Sequence, residues 1–162
     1  PRMAMQAVDL SPDALAVARR NAQDLQAEVI FHQGSWWQPV PALPRFDLVL
    51  SNPPYIAGED PHLPALAHEP RHALTPEGNG LPALRHEPRL ALTPEGDGLD
   101  AYRALVAGLP SRLSPGAWVL FEHGHDQGQD LRALLQQAGL SHVETRQDLG
   151  GNDRVTGGQW AG

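Results

Sequence analysis

The stretch Phe46-Asp47-Leu48-Val49-Leu50-Ser51-Asn52-Pro53-Pro54-Tyr55 decides how the rest of the chain is read. Its first half is an apolar run of strand length closed by turn-forming residues, which predicts a buried β-strand over Phe46–Ser51. Pro53 and Pro54 lack backbone N–H groups and have a fixed φ, so the chain leaving that strand is stiff and cannot extend a ladder. The strand end then offers the Asn52 side-chain carbonyl, the Asn52 and Pro53 backbone carbonyls and the flat ring of Tyr55. An NH2 group has two hydrogens to donate and a π-face, so such a loop suits holding a planar amide or amino nitrogen still. An ordinary Pro-Pro turn after a buried strand accounts for the same residues.

Outward from this segment, strand-like runs alternate with helix-like ones, the pattern of a parallel α/β sheet. Strands are predicted at Ala4–Asp9, Glu28–His32, Phe46–Ser51, Ala117–His123, Ser141–Gln147 and Arg154–Thr156, and helices at Pro12–Ala22, Gly98–Leu109 and Gln127–Ala138. Ser11 followed by Pro12 reads as an N-cap with proline in the first helical turn, and Gly139 as a stop after Ala138.

The 162 residues are the size of one domain. A net charge of −7 disfavours an electrostatic nucleic-acid footprint. A protein partner or a small substrate is favoured instead. With no cysteine, there is neither a disulfide framework nor a thiolate metal site. No signal peptide or long apolar run is present, which reads as a cytoplasmic chain with no membrane partner. The chain opens at Pro1-Arg2 and is in strand-like sequence within a few residues, as expected of a fragment.

Residues 63–98 hold a tandem repeat, LPALAHEPRHALTPEGNG over Leu63–Gly80 and LPALRHEPRLALTPEGDG over Leu81–Gly98, whose two 18-residue copies differ at three positions. Prolines at every sixth position forbid a continuous helix there. Two copies are too few for a solenoid, so an in-frame duplication within a loop is the simpler account, and one copy is expected to be structurally redundant.

Asp9 ends the first strand, at the edge where sheets of this kind bind ligands; its carboxylate could take two hydrogen bonds from ribose hydroxyls, or it could simply assist the helix start. Ser35-Trp36-Trp37 follows the second strand and brings two indoles to that edge, either to flank an adenine or to pack inside. Glu122-His123-Gly124-His125-Asp126 is compositionally like a metal cluster, but successive strand residues point to opposite faces, so it reads as a strand terminus shaping the loop edge, with no metal assigned. Gly157-Gly158-Gln159 is read as coincidence.

Four segments, FDLVLSNPPYIAGEDPHL, HEPRLALTPEGDGLDAYRAL, LSPGAWVLFEHGHDQG and GGNDRVT, together resemble the bacterial protein-(glutamine-N5) methyltransferases that modify peptide chain release factors. NPPY alone is shared with adenine-N6 and guanine-N2 nucleic-acid methyltransferases; the combination is more specific. The resemblance implies a Rossmann-like class I methyltransferase α/β sheet, S-adenosyl-L-methionine as cofactor and release factors as protein substrate. It implies that Asn52 and Pro53 accept hydrogen bonds from the substrate NH2 and that Pro54 and Tyr55 pack on the amide plane. It likewise implies that Asp9 binds the cofactor ribose, that Ser35 and Trp36, with Asn52, lie near the cofactor, and that Glu69-Pro70 or Glu87-Pro88 stands beside the substrate loop. The chain begins where the family's second strand would, so the sheet is expected to be incomplete, without the first strand and its glycine-rich loop. Such a piece is expected to be weakly stable, swapped, dimeric or dependent on a longer parent. A non-catalytic fragment, or a nucleic-acid methyltransferase, are the competing readings.

Overall fold

The computed structural model of the chain describes residues 3–54 and 98–162. Its backbone forms two compact units, Pro1–Pro44 and Arg45–Gly162. Tyr55, Glu69, Glu87 and nearly all of the tandem repeat lie outside the described residues.

In the first unit, β1 (Met5–Asp9) and β2 (Val29–Gln33) pair in parallel, Asp9 opposite Gln33, with α1 (Pro12–Asp24) between them in sequence. The start of α1 follows from its local chemistry. Ser11 is the N-cap, with its hydroxyl accepting from the Ala14 N–H at 3.2 Å. Pro12 occupies the first helical turn, where a missing N–H costs nothing, and Asp13 faces the positive end of the helix dipole. Leu15 is the buried residue of this helix.

The second unit is a four-stranded sheet in the order β3-β4-β6-β5, formed by β3 (Phe46–Ser51), β4 (Leu113–Glu122), β5 (Leu140–Gln147) and β6 (Asp153–Trp160). β3 and β4 are parallel; β6 runs antiparallel to both β4 and β5. Ala117, Val119 and Phe121 of β4 are buried on the face that also buries residues of α2 (Asp100–Gly108) and α3 (Gly128–Gln137). Tyr102, Leu105 and Val106 of α2 and Leu131 and Leu135 of α3 complete this core, and the Tyr102 and Phe121 rings lie 5.9 Å apart. Leu48, Leu50 and Trp118, which project on the other side of the sheet, are exposed. Among the described residues β1 is paired only with β2, and β3 only with β4.

The strand expected at Phe46–Ser51 has those bounds, and Ser11, Pro12 and Gly139 (φ +91°) act as expected. Two strands differ from expectation. β4 begins earlier, at Leu113, because Pro115-Gly116 is absorbed as an irregularity in the ladder and not as a turn; Gly116 has φ +80° and the register shifts between Phe46 and Leu48. β6, expected over Arg154–Thr156, runs from Asp153 to Trp160, through Gly157 and Gly158.

Those glycines are required by close approach. A Cβ on Gly157 would lie 2.5 Å from the Val119 carbonyl oxygen, and one on Gly158 would lie 2.9 Å from the Val143 side chain. The Gly-Gly-Gln tripeptide is therefore strand packing, with the Gln159 amide donating to the Gly116 carbonyl. Gly157→Ala should destabilise the protein by about 1–3 kcal/mol through overpacking against backbone. Equilibrium denaturation checks this, and an unchanged midpoint would contradict the packing described.

Candidate active site

In the first unit, the carboxyl ends of β1 and β2 bring Asp9 and the Ser35-Trp36 turn together. The Gly34 N–H donates to the Asp9 backbone carbonyl at 3.1 Å, tying the strand ends. Gly34 has φ +152°, and a Cβ there would lie 3.0 Å from the Pro39 ring, so the turn needs glycine. Asp9 is exposed; one carboxylate oxygen accepts from the Ser11 N–H at 2.7 Å and the other has no partner among the described residues. The helix-start role and the ligand role are thus compatible, because the Ser11 contact orients the carboxylate and leaves an oxygen to accept. Trp36 adopts φ +47°, unusual for a bulky side chain, and its indole N–H is enclosed with no partner among the described residues. An unpaired buried donor costs roughly 1–3 kcal/mol, and together with the strained φ it marks a turn shaped by something other than its own stability.

In the second unit, the parallel pairing of β3 and β4 ends at Ser51 opposite Phe121. Asn52 follows, exposed and without a side-chain hydrogen bond among the described residues; Pro53 is buried and Pro54 half-buried. The next residues of β4 are Glu122, His123 and Gly124. Asn52–Pro54 and Glu122–Gly124 therefore leave adjacent strands at one edge, as expected of a terminus that shapes the loop edge. Tyr55 and Glu87, the other residues assigned to the acceptor side, lie outside the described residues.

The β4 terminus is fixed by a network that sequence reading missed. His123 is fully buried, with Nδ1 2.7 Å from the Gly124 carbonyl and Nε2 2.8 Å from the Thr156 hydroxyl. Thr156 lies 2.7 Å from the Thr145 hydroxyl, which accepts from the Arg132 guanidinium at 2.6 Å. A guanidinium only donates and a carbonyl only accepts, so the arrangement using every group runs Arg132 to Thr145 to Thr156 to His123 Nε2, with Nδ1–H donating to Gly124. Gln127 closes the turn, its side-chain carbonyl accepting from the Gly124 N–H at 3.0 Å. A Cβ on Gly128 would lie 3.1 Å from the Asp153 carboxylate and 3.3 Å from His123, so the EHG-x-x-QG segment is a packing device at the strand end.

Arg154 links this terminus to the β5–β6 turn. Its guanidinium donates to the His123 carbonyl at 3.1 Å and reaches the Asp148 carboxylate at 3.4 Å. The Asn152 N–H holds the Asp148 carboxyl below its ordinary value of 3.8, with the Gly150 N–H and Arg154 adding to the effect against partial desolvation. A depressed carboxyl stabilises the turn above pH 3.8, and that contribution is lost as the pH falls through the lowered value. A carboxyl-carbon NMR titration should therefore place the Asp148 midpoint below 3.8. A midpoint at or above that value would contradict the turn geometry.

Each unit has a parallel strand pair, one ending in a Pro-Pro loop and the other in a carboxylate, and both are features of a class I methyltransferase sheet. A solved methyltransferase from Pyrococcus furiosus superposes with a TM-score of 0.63 over 96% of this chain and 62% of its own, at 14% identity, which establishes the fold. The family described as "Methyltransferase small domain" matches residues 1–81, and the chain belongs to that family. It is 48% identical over 160 residues to the release factor glutamine methyltransferase of Bordetella pertussis, covering 98% of this chain and 53% of that protein. It is 43% identical over 158 residues to the enzyme of the same name from Yersinia pestis, covering 96% and 50% respectively. The chain thus spans about half the length of the curated relatives it matches. The family's cofactor is S-adenosylmethionine. The residues present fit its adenosine part: among the described residues one Asp9 carboxylate oxygen has no donor and could accept from a ribose diol, and the Trp36 N–H at the end of the next strand has no acceptor. No helix among the described residues is long and apolar enough to cross a membrane.

Proposed function

We propose that the chain carries the acceptor-amide loop and part of the adenosine site of a release factor glutamine N5-methyltransferase. The observation that carries this reading is the Asn52–Pro54 loop at the end of a parallel strand, where the Asn52 side chain is exposed and has no hydrogen bond among the described residues, combined with similarity to release factor glutamine methyltransferases over 98% of the chain. The bound cofactor supplies a methyl group activated on a sulfonium. Asp9 accepts from the ribose hydroxyls while Ser11 keeps its carboxylate oriented, and Ser35 and Trp36 flank the base. Asn52 Oδ1 and the Asn52 and Pro53 carbonyls accept from the two hydrogens of the glutamine NH2, fixing its plane. Pro54 and Tyr55 pack on that plane, and Glu87, or Glu69 in the other repeat copy, borders the substrate loop.

An amide lone pair is delocalised and weakly nucleophilic, so positioning dominates the chemistry. Acceptors on both N–H bonds polarise the nitrogen and favour the transition state over the ground state. When bound, the cofactor would supply the methyl group to the amide nitrogen, and Asn52, a backbone carbonyl or water would take the amide proton. No dedicated general base is required. The acidic net charge favours a protein acceptor over a nucleic acid.

Labelled cofactor offered with release factor and duplex DNA side by side should label only the release factor, at a glutamine. Asn52→Ala should lower kcat about 100-fold, whereas Asp9→Ala should weaken S-adenosylhomocysteine binding about tenfold by calorimetry. Transfer to DNA alone would replace the substrate assignment. No binding heat at millimolar ligand would make this chain the non-catalytic fragment.

A further inference from the structure

At the end of β3 and β4, the Glu122 carbonyl has no ladder donor. Within a strand the N–H and C=O of one residue point to the same side, and successive residues alternate. The His123 N–H donates to the Arg154 carbonyl of β6, so the Glu122 carbonyl faces β3. With Ser51 opposite Phe121 in a parallel ladder, its donor would be the N–H of residue 53. Residue 53 is proline, and the next is also proline. The missing hydrogen comes from a helix instead: the fully buried Tyr102 hydroxyl of α2 donates to the Glu122 carbonyl at 2.7 Å. The next carbonyl, of His123, takes the Arg154 guanidinium.

We infer that Tyr102 and Arg154 are positioning residues for the acceptor loop. Tyr102 stands in for the ladder donor that Pro53 cannot be, and both fix the β4 terminus beside which Asn52–Pro54 leaves β3. The arrangement resolves a conflict between two demands. Pro53 and Pro54 supply no N–H to continue the ladder, so the loop leaves the sheet, yet the neighbouring strand must not be left with an orphaned buried acceptor. This rests on the reading that the loop receives a substrate amide, and it assigns a task to two residues that do not touch that substrate.

The test compares the full 162-residue chain with Tyr102→Phe, which keeps the ring packed against Phe121 and removes only the hydroxyl. The Asn52 side-chain NH2 resonances should shift in the variant, while the Asn152 amide in the β5–β6 turn stays in place. Where methyl transfer is measured, kcat should fall about tenfold with the cofactor KM unchanged, the pattern of an interaction used only in the transition state. If Tyr102→Phe does not fold, Arg154→Lys, which keeps the charge and loses the guanidinium fork, is read by the same Asn52 resonances. Unmoved Asn52 resonances in a folded variant overturn the inference even if wild-type transfer is normal. Absent wild-type transfer with shifted resonances overturns the substrate reading and leaves the positioning role standing.

Discussion

A proline has no N–H, and much of the site follows from that fact at position 53. β3 and β4 form an ordinary parallel ladder up to Ser51 and Phe121, where the donor that would continue it is missing. The chain is released from the sheet at that level with Asn52 exposed and Pro53 buried. A strand that ran one pair further would have spent the Pro53-level backbone on the ladder. The stop places the exposed Asn52 at the sheet edge, where the proposed substrate amide would meet it.

The released strand has consequences for its neighbour, and the second unit is arranged around them. The Glu122 carbonyl is met by Tyr102, the His123 carbonyl by Arg154, and the His123 ring by Gly124 and Thr156. Tyr102 comes from α2 and both Arg154 and Thr156 from β6, so the end of β4 is held by α2, β6 and, through Thr145 and Arg132, by β5 and α3. Buried polar networks of this kind stabilise only when every member is satisfied, and the direction of donation from Arg132 to Gly124 satisfies each one. In the first unit, the Asp9 carboxylate is oriented by the Ser11 N–H, and the Trp36 indole N–H has no partner among the described residues.

Local features of the sequence were legible and nonlocal ones were not. The bounds of β3, the Ser11 cap and the Gly139 stop depend on a few neighbouring residues, and each could be read directly. That Asp9, Ser35, Trp36 and Asn52–Pro54 lie at or just past the carboxyl ends of parallel strands was legible because such positions are predictable from strand order. The length of β6 was not legible, because glycine has no strand preference of its own and the fit of Gly157 and Gly158 against the Val119 carbonyl and the Val143 side chain is nonlocal. Tyr102 and Arg154 were invisible for the same reason. Their role depends on the register of β3 against β4, which joins segments far apart in the chain. The tandem repeat was plain in the sequence and lies outside the described residues, so its two copies stay as the sequence presents them.

Hydrogen exchange at position 53 tests most directly whether the missing N–H ends the ladder. In Pro53→Ala, the new amide should be protected from exchange, because it lies at the level of the Glu122 carbonyl and lengthens the ladder by one pair. Exchange at the rate of an unstructured amide, in a variant that is otherwise folded, would show that the ladder stops for another reason and would contradict the account.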